Sequence, residues 1–198
     1  MAQKTKREPK RNRKAEIVGA TEKLLRERGL SGVTTRAIAD EVPCSEVAIY
    51  VHFASRVDLL LAVLEQNLPA MLVPLHALEE NVGKQTVERN LLTAMEGLLH
   101  FHQRTASMLS SLFSEPDLLA KYRTQLMTRA KGPRGAIARI ANYIRAEQEL
   151  GRIHATIDPE VVGSLLVSSS FFYSFTRLLT GQTLPALKGP SLIKHLLR

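Results

Sequence analysis

The sequence predicts an all-α fold, with three short N-terminal helices followed by a larger helical unit, about nine helices in total. Three observations predict it. Apolar residues recur at i, i+3, i+4 and i+7 rather than in strict alternation. Capping residues stand at the ends of those periodic runs. Aromatics make up only 5% of the 198 residues and tryptophan is absent, so the aromatic-rich pattern of a sheet is missing.

Along the chain, residues 12–28 place Ile17, Ala20, Leu24 and Leu25 on one face, and Gly29 offers a C-terminal cap. Thr34 caps a second helix over 35–42, with Ala37, Ile38 and Val42 inward. Pro43-Cys44-Ser45 interrupts, and Ser45 caps a third helix over 46–53. Ser55-Arg56-Val57-Asp58 reads as a capping box opening a long fourth helix, which Pro69 and Pro74 are expected to kink or end. Residues 85–104 carry Val87, Leu91, Met95, Leu98, Leu99 and His102 on one broad face, and a separate short helix is expected over 105–113. Ser114-Glu115-Pro116-Asp117 starts another helix, which Gly132-Pro133 interrupts. A further helix runs from 134 to 149. Asp158-Pro159-Glu160 supplies a cap, a first-turn proline and an acid at the positive dipole end of a helix reaching Thr180. A last short helix spans 188–198.

Bulk properties narrow the function classes. Hydrophobic residues make up 44% of the chain, enough for a core, but no apolar run approaches the roughly 20 residues of a membrane span. The expectation is a soluble cytoplasmic protein without a membrane partner. One cysteine, Cys44, excludes an internal disulfide and is expected as a small core residue. Residues 1–14 hold seven basic groups against Glu8, while the other 184 hold 20 basic and 18 acidic groups. Residues 1–11 therefore read as a disordered basic arm, suited either to a phosphate backbone or to a solubilising tail. A second basic run, from Lys121 and Arg123 through Arg129, Lys131, Arg134 and Arg139 to Arg145, contains no acid and reads as a solvated face. His100 and His102 are two apart on a helix and face different ways, so no metal site or other cofactor is expected. No nucleophile elbow, phosphate loop or carboxylate pair is found, so no enzyme is expected.

The functional signal lies in residues 34–53. Two short amphipathic helices joined by a tight turn make a helix-turn-helix, in which one helix braces another sized for a major groove about 12 Å wide. Small Ala39 allows close approach, and Ile38, Ile49 and Phe53 supply a shared core. Over residues 12–64 this sequence closely resembles the N-terminal domain of the TetR family of repressors. The resemblance is carried by Thr-Thr-Arg-x-Ile-Ala from Thr34, Ile-Tyr-x-His-Phe from Ile49, and Ser-Arg-x-Asp-Leu-Leu from Ser55.

That resemblance implies a double-stranded DNA operator, a homodimer and a small-molecule effector whose binding releases the operator. The implied domains are 12–56 for DNA binding, with the motif at 35–54, and 57–198 for the helical ligand-binding and dimerisation unit. The alternative is a ligand-independent, nucleoid-type DNA binder. By resemblance, Thr34 and Thr35 meet a phosphate, Tyr50 and His52 touch the backbone, and Arg56, where the family usually has lysine, holds another phosphate. Ser45, Glu46, Val47 and Ala48 face base edges, and Arg36 reaches a phosphate or a guanine. The chain departs from the family in three places: Pro43 replaces a turn glycine, Glu46 stands where lysine is common, and Val47 replaces a common glycine. Met95, Leu99, His102, Met108, Phe113, Tyr122, Phe171 and Tyr173 are candidates to line an effector pocket, or are ordinary core. The helix from Pro159 is apolar nearly all round, so one side is expected to pack internally and Val161, Ser164, Leu165, Ser168 and Phe172 to meet a second copy.

Overall fold

The computed structural model describes residues 12–128, 133–182 and 189–197, and every regular element among them is a helix. These are α1 (Arg13–Arg28), α2 (Thr35–Glu41), α3 (Glu46–His52), α4 (Arg56–Glu80), α5 (Val87–Leu112), α6 (Pro116–Thr128), α7 (Pro133–Glu149), α8 (Pro159–Thr180) and α9 (Gly189–Leu196), with a short 3-10 turn at Leu30–Gly32. The basic arm expected over residues 1–11 lies outside the described residues, as do Arg129 and Lys131.

The capping residues do what their chemistry predicts. The Thr34 hydroxyl accepts from the Ala37 N–H at 3.1 Å, and the Ser45 hydroxyl from the Ala48 N–H at 3.3 Å. Ser55 accepts from the Asp58 N–H at 3.2 Å while donating to the Asp58 carboxylate at 2.7 Å. Asp158 takes the Glu160 and Val161 N–H groups at 2.9 and 3.1 Å.

Two expectations are corrected. Of the two outcomes expected at Pro69 and Pro74, a kink or an end, the end is excluded: helix α4 runs through both to Glu80. Its leucines and valines fill both apolar clusters of the molecule, and that burial outweighs the roughly 3 kcal/mol an interior proline costs. The carbonyl of Ala70, which Pro74 deprives of its helical donor, faces Gly97 of α5. A Cβ on Gly97 would stand 2.7 Å from that oxygen and 2.7 Å from Pro74 Cγ, so α4 and α5 cross where a side chain has no room. The second correction is that α5 is one helix to Leu112, not two. Hydroxyls along this stretch bond back to their own helix: Thr105 donates to Phe101 O at 2.9 Å and Ser111 to Ser107 O at 2.8 Å.

The apolar interior forms two clusters. The first joins α1–α3 to the first half of α4, to Phe101, Met108 and Leu112 of α5, and to Tyr122 of α6. The second joins the far half of α4 to α5, α7, α8 and α9. The boundary expected at residues 56 and 57 therefore marks a helix start, not a break in the core: Val57, Leu59, Leu60, Leu61, Val63 and Leu64 pack with α1–α3. Helix α4 is long and apolar enough by length and composition to cross a membrane, yet here it is the core helix that serves both clusters.

A polar joint reinforces the apolar one. Glu22 of α1 is 5% exposed and receives Arg104 of α5 through two bonds, 2.8 and 2.9 Å, with Asn67 of α4 at 3.3 Å. The Ser107 hydroxyl donates to Leu25 O at 2.9 Å. A buried carboxylate is stable only with such partners, so this set holds α1 against α4 and α5.

Candidate nucleic-acid interface

Helices α2 and α3 pack on α1 and α4 through Ile38, Ile49 and Phe53, all at most 5% exposed. Cys44 is half-buried beneath the turn and packs on the same cluster. With its inner face spent on the core, α3 turns its other face out. Val47 is 72% exposed, Tyr50 61% and Val51 76%. Ser45, Glu46 and His52 are also exposed, and Ala48 is half-buried.

The predicted contact residues gather around this face, but some are already engaged. The Thr35 hydroxyl donates to the Glu46 carboxylate and so ties the start of α2 to the start of α3. The oxygens of Thr34 and Ser45 accept in their helix caps, which leaves each hydroxyl proton available. Arg36 is exposed on α2. Tyr50 and Thr35 line a surface cavity of about 230 Å³ between α2, α3 and the start of α4, together with Phe53, Ser55 and Arg56.

Arg56 has a different occupation from the one its resemblance implied. Its Nη1 meets the Glu115 carboxylate, 3.2 Å away at the start of α6, and its Nη2 donates to Leu30 O. The guanidinium thus links the 3-10 turn after α1, the start of α4 and the α5–α6 corner. Val51 is an exposed residue of this face that the sequence reading did not name. Its position four after Val47 puts both on one helical face, and that spacing was the available signal.

The candidate pocket residues do not form one group. Met95 and Leu99 pack in the second cluster, whereas Met108 and Tyr122 belong to the first. Phe113 is a correction: at 70% exposure it closes α5 on the surface and lines no interior. Tyr173 is half-buried. The Tyr122 hydroxyl is buried without a partner among the described residues, and burial pushes it up to about 12.

His102 lies between α5 and α8, edge-on to Phe171 with ring centroids 5.5 Å apart, its Nδ1 2.9 Å from Ser170 Oγ. Ser170 spends its proton on Val167 O at 2.7 Å, so Nδ1 carries the ring proton and donates. Burial lowers the His102 pKa from 6.5 to about 4. The unfolded chain therefore takes up a proton that the folded chain refuses. Stability present above pH 6.5 falls as the pH drops toward 4, by about 3 kcal/mol across that window. Urea denaturation from pH 7 to 4 is expected to show a steeper loss for the wild type than for His102→Leu. Parallel curves would remove His102 from the acid response.

Helix α8 divides as its composition predicts. Val162, Leu166, Val167, Ser170 and Ser174 face the core. Val161, Leu165, Phe172, Phe175, Leu178 and Leu179 form a stripe of residues between 37% and 73% exposed, with Ser168 exposed and Ser164 half-buried beside it. This apolar stripe is left uncovered among the described residues.

Residues 17–63 match the family model described as bacterial regulatory proteins, tetR family. No curated protein sequence matches. The whole fold is similar to solved structures at low identity. One is a Mesorhizobium loti protein assigned to the TetR-family transcriptional regulators, with TM-score 0.72, 16% identity, and coverage of 94% of this chain and 98% of that one. A TetR transcription regulator from Haloarcula marismortui gives TM-score 0.70 at 19% identity, covering 93% and 95%. The fatty acid degradation regulator FadR from Bacillus halodurans gives 0.68 at 16%, covering 96% and 97%.

Proposed function

We propose that this chain, whose residues 17–63 match the model of the TetR family of bacterial regulatory proteins, is a dimeric repressor that binds a palindromic operator and leaves it when a small molecule binds the C-terminal helices. The observation that carries this reading is α3: a helix held by a buried inner face, with Val47, Tyr50 and Val51 left uncovered beside the exposed Arg36 and His52. Tyr50, His52, Thr34 and Arg36 position the chain on the phosphate backbone, and α3 enters the groove. Pairing of the α8 stripes sets two such helices about 34–36 Å apart, one turn of DNA. An effector releases the operator only by favouring a different spacing, because a ligand shifts an equilibrium by no more than its preference between the two states. The test is a gel shift on the DNA upstream of the gene, with a thermal-shift panel of small molecules. Sequence-indifferent binding, with no molecule stabilising the protein, would replace this reading with that of a ligand-independent DNA binder.

Arg56 belongs in this reading to the joint between the two units rather than to the phosphate contacts. With both of its terminal nitrogens engaged, Arg56→Ala is expected to leave the salt dependence of DNA binding unchanged. The partly exposed pair contributes about 1 kcal/mol, so Tm falls by roughly 2–4 °C. A slope reduced by about one would return Arg56 to the phosphate contacts.

A further inference from the structure

We infer that α3 selects its operator chiefly through thymine methyl groups, which Val47 and Val51 cover in the major groove. The inference rests on the DNA-binding function proposed for this chain and names the chemistry that α3 recognises.

Helix α3 lacks the usual hydrogen-bonding readers. Its seven residues, Glu46–His52, include no arginine, lysine, asparagine or glutamine, the side chains that grip guanine or adenine with paired hydrogen bonds. Glu46, the one carboxylate on α3, has one of its oxygens tied to the Thr35 hydroxyl. Ser45 accepts the Ala48 N–H in its cap and retains one hydroxyl proton, a single donor rather than a paired grip. Beside Glu46, Tyr50 and His52, α3 presents an apolar pair. Val47 and Val51 are 72% and 76% exposed, one helical turn apart on one face, and nothing among the described residues covers them. Two bare valines on a short helix are costly in water, and their burial supplies a driving force.

The occupant is duplex DNA rather than a protein groove, for two reasons. The valines sit within the segment that matches a DNA-binding family, and the seven basic groups of residues 1–14 give this end of the chain a positive excess. Within the major groove, thymine is the standard base whose edge offers a methyl group. The two valines are separated by about 6 Å along the helix axis, which spans one to two base-pair steps. Each half-site is therefore expected to hold two thymines at that separation, on either strand.

The test uses the full chain and a pool of random duplexes. Bound duplexes are expected to be enriched in half-sites with thymines so spaced. In the enriched duplex, each thymine is then replaced by deoxyuridine, which deletes the methyl and keeps every hydrogen-bonding group. Each replacement in a half-site is expected to weaken binding roughly fourfold and both together roughly fifteenfold, the worth of one and two buried methyls. Val47→Ala and Val51→Ala should each lose sensitivity to one of the two replacements. Both residues are exposed, so neither variant threatens folding. Unchanged affinity for the deoxyuridine duplex, or enrichment without thymines, would overturn the inference and leave the regulator reading standing. Failure to retain any duplex at low salt would overturn both.

Discussion

The Leu165→Glu, Phe172→Glu double variant is expected to sediment as a monomer and to bind its operator at least a thousandfold more weakly than the wild type. Both side chains stand on the exposed stripe of α8 and outside the two apolar clusters, so the variant removes a surface without opening the core. Four carboxylates would meet across the twofold axis in place of four apolar groups, which combines lost apolar burial with like-charge repulsion. Without pairing, one α3 reaches one half-site and the second is no longer delivered in register. The residual affinity is then that of a lone helix-turn-helix domain, on the non-specific side of a gap of roughly 10³ or more. Sedimentation and gel shifts read the two effects separately. A dimeric variant with full operator affinity would move the interface away from α8.

Gly97→Ala is expected to lower Tm by roughly 5–10 °C, whereas Gly19→Ala raises it by about 1–4 °C. The chemical change is the same and both sites are helical, so the opposite signs isolate the surroundings. At Gly97 the new Cβ meets the Ala70 carbonyl and the Pro74 ring at 2.7 Å, and neither gives way: one is backbone and the other is a fixed ring. Separating α4 from α5 costs about 2–3 kcal/mol, more than the gain in helix propensity. At Gly19 nothing lies within 4 Å, so only the propensity gain of about 0.5–1 kcal/mol remains. Equal shifts in the two variants would mean that the α4–α5 crossing relaxes freely.

Several features were legible in the residues because their causes are local. The starts of α2, α3 and α8 follow from Thr34, Ser45 and Asp158, each of which accepts a backbone N–H within its own first turn. Ile38, Ile49 and Phe53 could be assigned to the core from helical spacing alone. The apolar outer stripe of α8 was readable for the same reason. Residues whose roles depend on distant partners were not readable. Tyr122 and Met95 looked like neighbours in one pocket and lie in different clusters. Phe113 looked internal by composition and is exposed, because α5 ends with that side facing out.

From its sequence alone, then, the chain determined its helical class, several helix starts with their caps and the two-helix motif that presents α3. Each of those depends on groups within about one helical turn of one another. Only the tertiary structure decided that Pro69 and Pro74 sit inside an unbroken α4, that Arg56 binds Glu115, and that Glu22 is enclosed by Arg104 and Asn67. Those outcomes bring together residues some 45 to 82 positions apart in the joint, or depend on packing free energy summed over whole helices, and no local pattern records either.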